Sequence, residues 1–159
     1  MKITILCVGR LKERFFADAA AEYAKRLRLY ADIQICEVTD EKAPERLSPA
    51  EEAQVKSREG EKLLRLLPPG AYVIALAIDG ARLTSEGFSA RLSKCMTEGA
   101  SHIVFVIGGS LGLAPEVIAR ADMKLSFSDM TFPHQLMRVI LLEQVYRAFR
   151  IMKNEPYHK

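Results

Sequence analysis

Residues 102–113 read HIVFVIGGSLGL, a run of β-branched and aromatic residues that stops at a pair of glycines. This short apolar run predicts a buried strand over 102–107. Glycines at 108, 109 and 112 let main-chain amides approach a ligand in conformations that a side chain would forbid. Taken alone, however, a Gly-Gly pair after a strand more often makes a simple turn.

Two common nucleotide-binding motifs are missing from the sequence. The glycines are spaced G-G-x-x-G rather than G-x-G-x-x-G, and no G-x-x-x-x-G-K-[ST] occurs anywhere in the chain. The strand end at 108 therefore favours neither a dinucleotide-binding fold nor a phosphate-cradling loop.

Short apolar runs bounded by turn residues recur along the chain. Further strands are predicted at 2–9, 32–39, 72–78 and 122–127. Helical periodicity lies between the strands, at 12–30, at 48–67 after a Ser-Pro-Ala-Glu capping signal, at 84–97 and at 114–120. Strands that alternate with helices predict the α/β class, with a mostly parallel sheet flanked by helices.

The last helix is predicted to begin near Pro133, since proline in the first helical position loses no hydrogen bond, with Thr131 or Ser128 as its cap. From Leu136 to Phe149 it is apolar on more than one face. A helix that is apolar around most of its circumference must be buried on most of it, and a sheet covers only one side. We therefore expect the spare face to meet a second copy of the chain in a two-fold homodimer.

The composition suits a single globular domain over 1–159, because 49% of the 159 residues are hydrophobic and 27% are charged. The three cysteines form no CxxC pair, and no two of the three histidines share a ligand spacing, so neither a disulfide framework nor a metal site is expected. The chain shows no basic-then-apolar leader and no apolar run of roughly 18 residues. We expect a cytoplasmic protein that binds neither membrane nor metal.

The net charge of +3 is unevenly distributed. Residues 1–30 contain seven Lys and Arg against three acids, 31–131 contain eleven against fifteen, and 132–159 contain five against two. Basic ends around an acidic middle are compatible with a face that meets a polyanion such as RNA, and equally with solvated helix faces.

Three strand ends have sequences suited to ligand binding: LAIDG at 76–80, IGGSLGL at 107–113 and LSFSDMTFPH at 125–134. In an open parallel sheet, ligands bind outside the carboxyl ends of the strands. The third segment places hydroxyls and a carboxylate around two aromatic residues, which can hold a flat heteroaromatic ring. In isolation, a helix-capping loop is the better interpretation of this segment, and Asp79 of the first is interpreted as a turn former.

The three histidines differ in their surroundings. His102 begins a predicted buried strand and is interpreted as structural, and His134 as a surface or capping residue. His158 follows a helix with a largely apolar surface and is flanked by Tyr157 and Lys159.

Two arginines of the last helix have candidate roles. Arg147 is predicted to pair with Glu143 one turn earlier. Arg138 is expected to contact phosphate or to pair with Glu143.

Three segments together closely resemble the RlmH family of ribosomal RNA large-subunit methyltransferases: KITILCVGRLKE, FVIGGSLGL and LSFSDMTFPHQLMRVILLEQVYRAFRIMKNEPYHK. The resemblance covers essentially the full length. It implies the SPOUT fold, an α/β sheet with a C-terminal trefoil knot, here over roughly 72–159. It also implies a homodimer that uses S-adenosylmethionine to methylate ring nitrogen N3 of a pseudouridine in large-subunit ribosomal RNA.

The resemblance implies a cofactor site at the same three strand ends. Its residues are Leu76, Gly108, Gly109, Phe127, Ser128, Asp129, Met130, Thr131 and Phe132. The glycines let main-chain groups close over the methionine part of the cofactor, and the 127–132 loop encloses the adenine.

The resemblance also implies a role for the last three residues, which in a dimer can reach the partner's cofactor pocket. His158 is expected to remove or relay the proton of the pseudouridine nitrogen, because its unperturbed pKa is about 6.5. Tyr157 is expected to stack on the base or hydrogen-bond it, and Lys159 to hold a phosphate or a uracil oxygen.

Two alternatives remain open. One is a SPOUT enzyme with another RNA target, such as transfer RNA or a different ribosomal site. The other is a non-catalytic α/β dimer whose basic ends bind RNA or protein. Because the chain has little RNA-binding surface of its own, we expect the substrate to be the large subunit or the whole ribosome rather than naked RNA.

Overall fold

The computed structural model describes residues 1–157 of the chain. Five strands alternate with five helices along these residues. In chain order the elements are β1 Lys2–Val8, α1 Arg14–Leu27, β2 Asp32–Val38, α2 Pro49–Leu66, β3 Tyr72–Arg82, α3 Ser85–Thr97, β4 His102–Ile107, α4 Pro115–Arg120, β5 Met123–Ser126 and α5 His134–Met152. Each predicted element is present, with ends that differ by a few residues.

The strands form one sheet in the order β2-β1-β4-β3-β5, and each neighbouring pair is parallel. This confirms the predicted α/β class with a parallel sheet flanked by helices. Because the strands run in one direction, their carboxyl ends all lie along the same edge, where ligands bind in such sheets.

Helices cover both faces of the sheet, and the alternation of side chains along each strand feeds two apolar cores. Helices α1, α3 and α5 pack over one face, and α2 and α4 over the other. The first core includes Ile3, Ile5, Leu27, Leu92, Phe105 and Leu141, and the second includes Leu6, Val8, Leu63, Val104 and Val117.

Helices α2 and α5 both begin where the sequence predicts, but of these two only α2 has its predicted side-chain cap. Ser48 Oγ accepts a hydrogen bond from Glu51 N at 3.3 Å, and the Glu51 carboxylate accepts one from Ser48 N at 2.7 Å, as the capping signal predicts. Helix α5 begins one residue after Pro133, and no side chain within residues 1–157 caps it. The predicted caps of α5 are wrong: Ser128 Oγ instead accepts from Met130 N at 2.9 Å.

Strand β3 is longer than predicted and is interrupted by a bulge. Leu76 and Ala81 both lie opposite Leu125 of β5, so residues 77–80 leave the ladder between them. The interpretation of Asp79 as a turn former is therefore wrong, because it belongs to this bulge within β3. The bulge forms one wall of the cavity described below.

Three further observations concern membrane spans, metal sites and cysteines. None of the helices within residues 1–157 is long and apolar enough to cross a membrane. The same residues contain no group of three or more His, Cys, Asp or Glu suited to a metal ion. Cys7 and Cys95 are buried and Cys36 is half-buried, and burial raises the pKa of the Cys7 thiol to about 12. The trefoil knot and the single-domain assignment remain predictions.

Candidate functional site

A cavity of about 770 Å³ lies at the carboxyl ends of β3, β4 and β5. Its lining consists of the segments 76–79, 107–113 and 125–134, without Asp129, together with Ile118 and Met137. These are the three strand ends that the sequence selects. The volume lies in the range of small-molecule sites, roughly 300–1,000 Å³.

The wall after β4 is a tight turn that requires glycine. Gly112 N donates to Gly109 O at 3.1 Å, which closes the turn. A Cβ on Gly108 would lie 2.8 Å from the carbonyl carbon and oxygen of Gly112, closer than Cβ atoms approach main chain. The missing side chain lets the turn close while its main chain lines the cavity.

Glu59 of α2 supports this turn from behind. Its carboxylate is buried, lies 3.0 Å from where a Cβ on Gly109 would be, and accepts a hydrogen bond from Glu41 N at 3.0 Å. Burial raises the pKa of Glu59, and the neighbouring carboxylates of Asp40 and Glu41 act in the same direction.

The wall after β5 is held by its own hydroxyls. Ser126 Oγ donates to Ser128 O at 3.2 Å, in addition to the bond from Met130 N to Ser128 Oγ. The Phe127 ring lies edge-on to Phe88, with their centroids 6.5 Å apart. The segment thus presents an aromatic ring and main-chain polar groups to the cavity.

Two ion pairs connect the outer parts of these walls. Lys124 Nζ donates to Asp79 Oδ2 at 2.6 Å, and this bond holds the pKa of Asp79 below its usual range. Asp129 is 71% exposed and pairs with Arg82 of β3. Of the described residues expected to bind the cofactor, Asp129 alone lies outside the cavity lining.

His134 lies in the cavity wall, a position that its interpretation as a surface or capping residue did not anticipate. The residue is half-buried, and its Nε2 would lie 3.3 Å from a Cβ on Gly9, whose φ of +82° also favours glycine. Burial lowers the pKa of His134, and the charges of Arg138 and Lys12 act in the same direction. The one sequence signal for this contact is the glycine directly after β1.

Arg138 does not face solvent, so the expected contact with phosphate and the alternative pair with Glu143 are both wrong. Its side chain is 0% exposed and pairs with Glu37 of β2, and its Nη2 donates to Gly9 O at 3.0 Å. Arg138 therefore joins α5 to the ends of β1 and β2 beside the cavity.

Comparison with known proteins identifies the family of this chain. Residues 1–158 match the family described as "Predicted SPOUT methyltransferase". Proteins named "Ribosomal RNA large subunit methyltransferase H" from Exiguobacterium sibiricum and Bifidobacterium animalis subsp. lactis are 59% and 58% identical to this chain, over 100% of it and 100% of each relative. The chain belongs to the ribosomal RNA large subunit methyltransferase H (RlmH) family of SPOUT methyltransferases.

A solved structure shares only the fold with this RlmH-family enzyme. It is described as "The structure of a probable methylase family protein from Haemophilus influenzae Rd KW20" and is 14% identical, with a TM-score of 0.54. The similarity covers 99% of this chain and 70% of that one.

In this RlmH-family enzyme, Tyr157 packs against its own α5. Its hydroxyl donates to Glu143 Oε1 at 3.1 Å, its ring meets Tyr146 edge-on at 5.0 Å, and the Arg147 guanidinium lies 4.8 Å from the ring centroid. Arg147 Nη2 also donates to Glu143 Oε1 at 2.6 Å, which confirms the predicted pair. Burial raises the pKa of Tyr157 well above its usual range.

The turn before Tyr157 is also anchored. Arg150 Nη2 donates to Pro156 O at 3.3 Å and Nη1 lies 2.7 Å from Glu155 Oε2, while the Tyr30 hydroxyl bonds the same carboxylate. His158 and Lys159, the other two residues expected to act in catalysis, lie outside the described residues.

The remaining histidine has a structural contact, as predicted. A hydrogen bond of 2.9 Å joins His102 at the start of β4 to Thr4 Oγ1 of β1. Burial lowers the pKa of His102. This bond cross-links two central strands and lies at the opposite end of β4 from the cavity.

Proposed function

We propose that this chain is an S-adenosylmethionine-dependent enzyme that methylates N3 of a pseudouridine in large-subunit ribosomal RNA. The observation that supports this most directly is the cavity built from the glycine turn and the 125–134 segment, in a chain that matches RlmH-family relatives from end to end. We further propose that it acts in the cytoplasm, on the large subunit or the whole ribosome.

The residues around the cavity fit S-adenosylmethionine in size and chemistry. Main chain at Gly108 and Gly109 is free of side chains and can bond the methionine part. Leu76 and Phe127 offer apolar surface for the adenine, with the main chain of 128–132 as its polar edge. When bound, the cofactor supplies an electrophilic methyl group on a positively charged sulfur.

The nucleobase must lose a proton before its nitrogen attacks that methyl group. A histidine is the side chain whose unperturbed pKa, about 6.5, best suits this transfer near neutral pH. We assign the role to His158, and to Lys159 the binding of a phosphate or a uracil oxygen. For Tyr157 we now favour anchoring of the tail over contact with the base, since Glu143, Tyr146 and Arg147 already engage it.

The homodimer is part of this proposal. Tyr157 contacts α5 at residues 143–147, six to ten residues beyond Met137 at the cavity, or about 9–15 Å along the helix axis. Leu136, Ile140 and Ile151 of the same helix are only half-buried. A partner subunit that covers these residues explains why they are only half-buried within one chain. If its tail also lies at this cavity, the distance between Tyr157 and the cavity of its own chain is explained as well.

Two measurements test the proposed function. Calorimetric titration should detect binding of S-adenosylmethionine, and tritiated methyl groups should be transferred from it to large ribosomal subunits. Absence of both binding and transfer would rule the proposal out. Transfer to naked RNA fragments as fast as to subunits would remove the requirement for an assembled ribosome.

The assignment of the base has its own test. We expect His158→Ala to bind the cofactor as the native chain does and to lose most turnover. Sedimentation analysis of the same sample should show a dimer. If the variant keeps full turnover, His158 is not the base.

A further inference from the structure

The segment after β1 is a second surface feature, next to the cavity and not part of its lining. Residues 9–13 leave β1 and lead into α1. This loop is fixed through its main chain: Gly9 O accepts from Arg138 at 3.0 Å, Leu11 N donates to Glu37 at 3.2 Å, and Lys12 N donates to Gln135 at 2.9 Å. The loop is therefore held against the first turns of α5, beside the cavity-lining His134.

The side chains of the same loop face solvent and are mostly cationic. Arg10, Lys12 and Arg14 are all exposed. Arg14 has only a weak pair, 3.6 Å from Asp18, between side chains 94% and 71% exposed, whereas Arg10 and Lys12 form no ion pair with any of residues 1–157. Glu13 is the single acidic residue between Gly9 and Asp18.

An exposed aromatic ring adjoins these cations. Phe15, in the first turn of α1, is 64% exposed, and its centroid is 4.4 Å from that of the half-buried Phe16. Single exposed apolar residues are common on protein surfaces, and what distinguishes this ring is its position beside the cations on a fixed backbone. Cations followed by an exposed ring match the chemistry of unpaired RNA, in which phosphates alternate with bases that stack on aromatic side chains.

We infer that Arg10, Lys12 and Phe15 form an RNA-docking edge: the two cations bind phosphates of the substrate RNA, and Phe15 stacks on an unpaired base. This inference rests on the proposed function for the identity of the substrate. The loop's hydrogen bonds to Arg138, Glu37 and Gln135 fix the edge relative to the cavity, so RNA held there is delivered in a defined position. Because the backbone is already ordered, binding orders only side chains.

The test compares charge removal at this edge with the same removal at the other end of α1. The variant Arg10→Gln/Lys12→Gln is matched by Lys25→Gln/Arg28→Gln, whose side chains are also exposed. We expect the first to raise the KM for large ribosomal subunits about tenfold or more and the second less than twofold. Neither should change the Kd for S-adenosylmethionine.

Salt dependence separates phosphate binding from other causes. Each lost phosphate contact lowers the slope of log K against log salt by about 0.7–0.9, so the edge variant should lose about 1.4–1.8 and the control nothing. An edge variant whose KM and salt slope equal those of the control would overturn the inference. A raised KM with an unchanged slope would also overturn it, since the edge would then contact a ribosomal protein and not RNA phosphates.

The aromatic part is tested with Phe15→Ala against Leu29→Ala, which removes an 84% exposed side chain beyond the other end of α1. We expect about tenfold weaker subunit binding for Phe15→Ala and no change for Leu29→Ala. Equal binding of the two variants would remove the stacking role. Subunit binding is measured directly and not through methyl transfer. The inference about the docking edge can therefore be wrong while methyl transfer is observed, and methyl transfer can be absent while the edge still binds RNA.

Discussion

The Arg138 guanidinium donates to the main-chain oxygen of Gly9 at 3.0 Å, in a position from which solvent is fully excluded. This bond joins α5 to the first residue of the loop that follows β1. Because the same guanidinium pairs with Glu37, its removal takes the cation from that carboxylate, which keeps the amide of Leu11, and takes the donor from the Gly9 carbonyl.

We therefore expect Arg138→Met to lower the free energy of unfolding by about 3 kcal/mol. Urea denaturation followed by circular dichroism measures this change. The control is Arg65→Met, which breaks a 3.7 Å pair with Glu61 between exposed side chains and should cost less than about 0.5 kcal/mol. Equal losses in free energy of unfolding would show that the buried bond contributes no more to stability than the exposed ion pair.

The glycine turn makes a second prediction. Gly108→Ala places a methyl group 2.8 Å from the Gly112 carbonyl, so the turn must shift. We expect a loss of about 1–3 kcal/mol in stability and cofactor binding weakened about tenfold or more, measured by denaturation and calorimetry. Gly87→Ala is the matched control, because a Cβ there meets nothing closer than 3.4 Å, and it should leave cofactor binding unchanged.

Glu59 makes the stability depend on pH. Because burial raises its pKa, the folded chain keeps this proton to a higher pH than the unfolded chain, and stability falls as the pH rises through that interval. Glu59→Gln retains an acceptor for Glu41 N but has no proton to lose. We expect the variant to gain stability relative to the native chain as the pH rises from 4 to 8.

Denaturation across this pH series is the measurement. Glu61→Gln serves as the control, since the Glu61 side chain is 64% exposed, and its stability difference from the native chain should stay nearly flat. If the stability difference between Glu59→Gln and the native chain is also independent of pH, ionisation of the buried carboxylate does not lower the stability.

The tail anchor makes a fourth prediction. Tyr157→Phe removes the bond to Glu143 and should cost about 1 kcal/mol in stability. If Tyr157 positions His158, turnover should fall while cofactor binding is unchanged, as measured by methyl transfer and calorimetry. Tyr72→Phe, which alters the start of β3, is the control and should keep full turnover. Equal turnover in both variants would leave Tyr157 without a positioning role.

The sequence predicts the elements well where local patterns decide them. The apolar run at 102–107 and the capping signal at Ser48 depend on neighbours in the chain, and both correspond to the observed elements. The end of β3 depends instead on how residues 76–81 pair with Leu125, a tertiary contact with no local pattern. For this reason the sequence pattern places the end of β3 at residue 78, four residues too early.

The cavity, too, could be predicted from the sequence only where local patterns decide its structure. Its three walls could be selected in advance because the carboxyl ends of parallel strands bind ligands. The contact between His134 and Gly9 and the burial of Arg138 could not, since each joins residues more than a hundred positions apart. A lone arginine in a helix pattern is expected to face solvent, and its partners Glu37 on β2 and the Gly9 carbonyl after β1 explain its burial.

The parallel sheet has a practical consequence for labelling this enzyme. Met1 precedes β1, so it lies at the amino edge, and the seven residues of β1 separate that edge from the cavity by about 20 Å. A fluorophore or affinity tag attached at Met1 should leave the cavity accessible. Immobilisation through that end would present the reactive side of the molecule to solution.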